Sequence, residues 1–146
     1  MDTSLSQKLY QAALDSKGRS TKEGPEGGKL AAAWAIENFC IAQAGVRKLE
    51  ESLGRPCNCI AALMSALNNG RGVETTAEDS VPGDIWFAPT SPMFPTPYHC
   101  GIVMEHGGKR ILSNSSGLSC FSWEDRIEEV AKFFGRGNGS FYRLTS

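Results

Sequence analysis

His99 and Asn114 are the two residues whose types and separation point most directly to chemistry. They sit in two β-rich runs, 99–105 (HCGIVME) and 109–114 (KRILSN), on either side of Gly107-Gly108. A pair of glycines between such runs signals a hairpin. With a two-residue loop, His106 lies opposite Lys109, Val103 opposite Leu112 and Gly101 opposite Asn114. His99 then shares a sheet face with Asn114, diagonally across the ladder at about 7–8 Å between backbones. Gly101 puts no side chain between them. An imidazole facing a carboxamide suits a catalytic histidine, because one ring nitrogen must be held while the other moves a proton. The geometry rests on register: a loop longer or shorter by one residue sends the two side chains to opposite faces. The alternative reading has His99 as a plain strand-start residue at the sheet edge and Asn114 as a plain turn residue.

The five cysteines offer less. Cys57, Cys59, His99, Cys100 and His106 are metal-ligand types, but Cys-x-Cys with an adjacent His-Cys matches no common zinc arrangement, so neither a metal nor a cofactor is expected. Cys40 and Cys100 lie in apolar segments and read as small buried hydrophobes. An odd cysteine count, with a polar Met1-Asp2-Thr3-Ser4 start in place of a Sec-type signal, leads us to expect reduced thiols and synthesis in the cytoplasm.

The chain has 146 residues, enough for one domain, 1–146, with a proper core. Its net charge is −1, with both signs scattered, so no basic face marks it for nucleic acid or an anionic membrane. No apolar run approaches the length of a membrane span, and no membrane insertion is expected.

Residues 4–15 place Leu5, Leu9 and Ala12-Ala13 at helical spacing, with Gly18 as a stop. Residues 17–29 (KGRSTKEGPEGGK) read as an exposed loop. Residues 30–44 (LAAAWAIENFCIAQA) are good helix formers, apolar on nearly every face, which predicts a helix buried in the middle of the domain. Residues 57–68 form a second amphipathic helix, with Pro56 in its first turn and Asn69-Gly70 at its end. Ile85-Trp86-Phe87 reads as a strand, and 88–98, with four prolines, as a stiff irregular loop. Residues 120–123 and 141–144 are further strand candidates, and 125–133 a weak helix. Helices first and strands after them predict an α+β domain, N-terminal helices packed on a C-terminal antiparallel sheet.

Three segments together resemble a known family. GPEGGKLAAAWAIENF (24–39) is similar to the glycine-rich lead and helix, roughly G-G-x-L-A-C-A-W-A-V-N, of NlpC/P60–CHAP-like proteins. PGDIWF (82–87) resembles the strand after the helical half of that family, and HCGIVMEHGGKRILSNSS (99–116) its histidine strand followed by its polar-residue strand. The matches spread over about residues 24–123. The resemblance implies a papain-like fold and a cysteine amidase or endopeptidase acting on amide bonds of peptidoglycan stem peptides. It makes His99 the general base and Asn114 the residue that orients it. It puts the nucleophilic cysteine at position 32, where this chain has alanine.

Ala32 has no reactive group. An inactivating Cys-to-Ala change explains it, and a retired enzyme that only binds its ligand is the alternative. Trp34 and Trp86 are expected to line a groove for a sugar–peptide substrate unless they belong to the core, and Ser113, beside Asn114, is expected to assist there. The two loops 17–29 and 88–98 flank the cleft. A cytoplasmic product acting at the cell wall needs release, as in phage lysis, or injection as an antibacterial effector, which would bring an immunity or inhibitor protein as partner.

Overall fold

The computed structural model describes residues 2–93 and 95–146; Met1, and Phe94 within the proline-rich loop, lie outside the described residues. Helix α1, Ser4–Ser16, buries Leu9, Ala12 and Ala13 and ends before Gly18, which takes a positive φ of 91°. The glycine-rich loop tightens into a 3-10 turn at Pro25–Gly28. Helix α2, Ala32–Ala35, continues without a break as a wider π-helical segment, Ile36–Ala42. Its buried side chains, Ala33, Ala35, Ile36, Phe39, Cys40 and Ile41, explain the lack of a polar face in the sequence.

A short helix α3, Leu49–Leu53, follows, and was not foreseen. Its first backbone N–H groups, at Leu49 and Glu50, each donate at 2.9 Å to the buried carboxylate of Glu37. Burial nevertheless raises the Glu37 carboxyl above its ordinary range. Helix α4, Ile60–Ala66, continues in a π-type turn, Leu67–Arg71. It begins three residues later than the amphipathic pattern places it, because Cys59 is extended at its N-cap.

Six strands make one antiparallel sheet among the described residues: β1 Gly72–Thr75, β2 Ile85–Phe87, β3 Cys100–Val103, β4 Arg110–Ser115, β5 Cys120–Arg126 and β6 Ser140–Leu144, in the order β1-β6-β2-β3-β4-β5. Helix α5, Ile127–Ala131, lies between β5 and β6. The expected α+β architecture is present. One buried cluster joins α1, α2 and α4 to one side of the sheet through Cys100, Ile102, Leu112 and Phe121. The other joins α5 to Trp86, Val103, Ile111 and Phe141. Burial of this apolar surface is the main stabilising term.

A buried ion pair fixes the β2 and β6 ends of the sheet. The Arg143 guanidinium donates to Asp84 through Nη2 at 2.8 Å, and the Ser6 hydroxyl of α1 donates to the same carboxylate at 2.7 Å. Beside it Gly83 has a φ of 95°, and a Cβ there would lie 1.7 Å from the Ser6 carbonyl oxygen. Only glycine lets α1 approach this closely.

The hairpin register departs from the two-residue reading. Ile102 faces Leu112 and Val103 faces Ile111, and the Met104 N–H donates to the Arg110 carbonyl at 2.8 Å. The turn therefore holds the five residues 105–109. Both glycines have positive φ, but each is claimed by tertiary contacts. The Gly107 N–H donates to the Ser80 carbonyl at 2.8 Å, and a Cβ on Gly108 would meet the Phe141 ring at 2.6 Å. The pairing shifts by one residue, which exchanges the faces of β4 relative to β3.

Candidate active site

His99 immediately precedes β3 and is only 6% exposed. Its ring stacks on Phe134 with centroids 4.8 Å apart and packs against Trp123 and Trp86. Nε2 lies 2.8 Å from the Ser113 hydroxyl oxygen. That hydroxyl in turn lies 3.4 Å from the Trp123 carbonyl oxygen. The carbonyl only accepts; with the Ser113 O–H donating to it, the Ser113 oxygen is free to accept from Nε2–H. The unprotonated ring nitrogen is then Nδ1.

Nδ1 has no hydrogen-bond partner among the described residues, yet no buried side-chain nitrogen or oxygen lacks one. Nδ1 must therefore be open to solvent space, and the space that His99 lines is a cleft of about 460 Å³. Ala32, the first residue of α2, lines the same cleft. The helix packs against both β3 and β4. Burial among carbon atoms pushes His99 down to about 4, so the ring is neutral near pH 7.

Asn114 does not orient His99, and that expectation is corrected. With the register moved by one residue, Ser113 takes the place beside the imidazole, and Asn114 turns to the helical side of the sheet. There its Oδ1 accepts the Thr21 hydroxyl at 2.6 Å and its Nδ2 donates to the Gly28 carbonyl at 2.8 Å. Asn114 is 2% exposed and still forms part of the cleft wall. Its work is to fasten the loop 17–29, which leads into Ala32, onto β4. Gly101 leaves room beside Ser113, not Asn114: a Cβ there would lie 3.0 Å from Cβ of Ser113 and 2.5 Å from Ile111. Ser113, expected at the substrate, is 1% exposed and serves the imidazole instead.

The two tryptophans are also corrected. Trp86 is fully buried, its indole N–H donating to the Asn138 carbonyl at 2.6 Å, so it is core. Trp34 lies outside the cleft lining; it packs edge-on against Phe39 and beside Gly24, where a Cβ would come within 2.9 Å of its ring. The aromatic side chains that do line the cleft are Tyr98, Trp123 and Phe134. Trp123 falls inside a strand candidate, and the alternation of that strand was the available signal. Phe134 lies past the weak helix and carried none.

Cys59, whose thiol is exposed, borders the cleft, whereas Cys40, Cys57 and Cys100 are buried. Burial lifts the Cys57 thiol to about 12 and those of Cys40 and Cys100 further, so none of the three offers a thiolate near neutral pH. Among the described residues no three histidine, cysteine or acidic side chains converge as a metal site requires. None of the described helices is long and apolar enough to cross a membrane. Comparison of the chain with protein-family models and with curated proteins found no match.

Proposed function

We propose that this chain has the site of a papain-like thiol amidase of the NlpC/P60–CHAP type, with alanine at the nucleophile position. The observation that carries the reading is the state of His99. One nitrogen lies 2.8 Å from the Ser113 hydroxyl, the other has no hydrogen-bond partner among the described residues, and the ring lines the same cleft as Ala32. A buried imidazole with one nitrogen fixed and one spare is arranged to move a proton.

With cysteine at position 32, the chemistry follows from these parts. Nδ1 of His99 takes the thiol proton, and the sulfur attacks the carbonyl carbon of a bound amide. The backbone N–H of residue 32 lies in the first helical turn, where it has no intrahelical acceptor, and can donate to the developing oxyanion. The C–N bond breaks as the imidazolium returns its proton to the amine. Water, deprotonated by His99, then hydrolyses the thioester and releases a carboxylic acid. The substrate class implied by the resemblance is the peptidoglycan stem peptide.

The test is Ala32→Cys protein incubated with purified sacculi, reading the release of new amino groups. Cleavage is expected, and replacing His99 by Gln in the same background should abolish it. A folded Ala32→Cys protein that opens no amide bond overturns the proposal. Ala32 itself favours a second reading, a module that binds its ligand without cutting it. Alanine in the native gene, together with retention of the chain on sacculi, supports that reading.

A further inference from the structure

We propose that the cleft takes an N-acyl amino acid: an amide with an apolar acyl chain on one side and a single carboxylate on the other. The proposal rests on the reading above that an amide is seated beside residue 32. It departs from that reading on substrate class, placing an acyl chain and a single carboxylate around the amide in place of a stem peptide.

The walls of the cleft are carbon surface. Leu30, Ile60, Pro97, Tyr98, Trp123 and Phe134 are among the residues that line it. Leu30 and Tyr98 stand 67% and 61% exposed at its margin. Trp123 and Ser116 also border a second, more open depression of about 350 Å³, lined by Leu118 and Phe133, which are 72% and 69% exposed. Large apolar side chains gathered along one groove mark a surface that a ligand covers. A carbon-walled cleft of about 460 Å³ has room for a chain several carbons long.

The charge pattern selects the other end. Among the described residues Lys29 is the one charged residue lining the cleft, and no acidic residue lines it. Its ammonium has neither an ion-pair nor a hydrogen-bond partner among the described residues. It stands three residues before position 32, at the end of the loop that Asn114 fastens. In an N-acyl amino acid the carboxylate is separated from the amide nitrogen by one carbon, so a cation near the nucleophile position suits it. A highly charged peptide would instead lose hydration against carbon walls, with one cation to compensate.

The chain as it stands, with Ala32, cannot form a thioester, so affinity is read directly. Isothermal titration compares decanoylglycine, decanoylglycinamide and acetylglycine, each below its micellar concentration, with a purified stem tetrapeptide. Decanoylglycine should bind about tenfold more tightly than decanoylglycinamide and at least a hundredfold more tightly than acetylglycine. Lys29→Gln should erase the first ratio and keep the second. Leu30→Glu should weaken both decanoyl ligands. Both positions are exposed, and circular dichroism checks that the variants fold.

Equal binding of the acid and its amide, indifference of decanoylglycine to Lys29→Gln, or tighter binding of the tetrapeptide each overturns the proposal. Because no thiol is needed, failure of Ala32→Cys to cleave sacculi leaves this result standing. Cleavage of sacculi without binding of decanoylglycine defeats this proposal alone.

Discussion

His99 should make the stability of the fold fall between pH 7 and pH 5. In the unfolded chain the imidazole titrates near 6.5, whereas burial holds the folded group down to about 4. Between those values the unfolded state carries the extra proton, so acidification favours unfolding. The stabilisation is fully present above the unfolded value and is lost as pH falls toward 4. Two-state linkage with these values gives a loss of about 2 kcal/mol on going from pH 7 to pH 5. Glu37, whose carboxyl is raised by burial, acts in the opposite direction. The measurement is therefore a difference between the parent and His99→Gln, which keeps a polar group for Ser113 and does not titrate. Urea unfolding of both proteins at the two pH values supplies it. The parent should lose about 2 kcal/mol more than the variant. Equal losses, or a His99 midpoint near 6.5 by nuclear magnetic resonance, would refute burial as the controlling influence.

Three other outcomes follow from the same contacts. Ser113→Ala in the Ala32→Cys protein should lower kcat by about tenfold with KM little changed, because the imidazole loses its fixed orientation; steady-state kinetics checks it. Asn114→Ala removes two buried hydrogen bonds and should cost about 2–3 kcal/mol in denaturant unfolding, with faster amide exchange across residues 17–29. Asp84→Ala removes the carboxylate partner of the buried Arg143 guanidinium and should cost about 3–5 kcal/mol, seen as a large fall in the urea midpoint at unchanged slope.

The Asn114 and Ser113 roles show where local reading stops. Alternation puts two neighbouring β4 positions on opposite faces of the sheet. It did not tell which of them meets His99, because that depends on the length of the turn. The turn is five residues long because Ser80 and Phe141 hold its glycines, and both lie far from it in the chain. Trp34 and Trp86 fail for a related reason. Both are large aromatics with polar ring nitrogens, and only the neighbours assembled around Trp86, including the Asn138 carbonyl, make it core.

What the sequence determined by itself is what depends on periodicity and local backbone preference: helix α1, the all-round apolar helix at Ala32, the strand at 85–87, the hairpin, and helices before strands. His99 at a strand start and the bare Gly101 beyond it also belong here. Tertiary structure alone decided the sheet order, in which β6 sits between β1 and β2, and short elements such as β1 and α3. It also decided the identity of the imidazole's partner and the aromatic, singly charged character of the cleft. These arise from contacts between residues distant in the chain, whose relative energies no window of neighbouring residues contains. A one-residue shift in pairing exchanges every side chain between the two faces of a strand and leaves its local pattern unchanged.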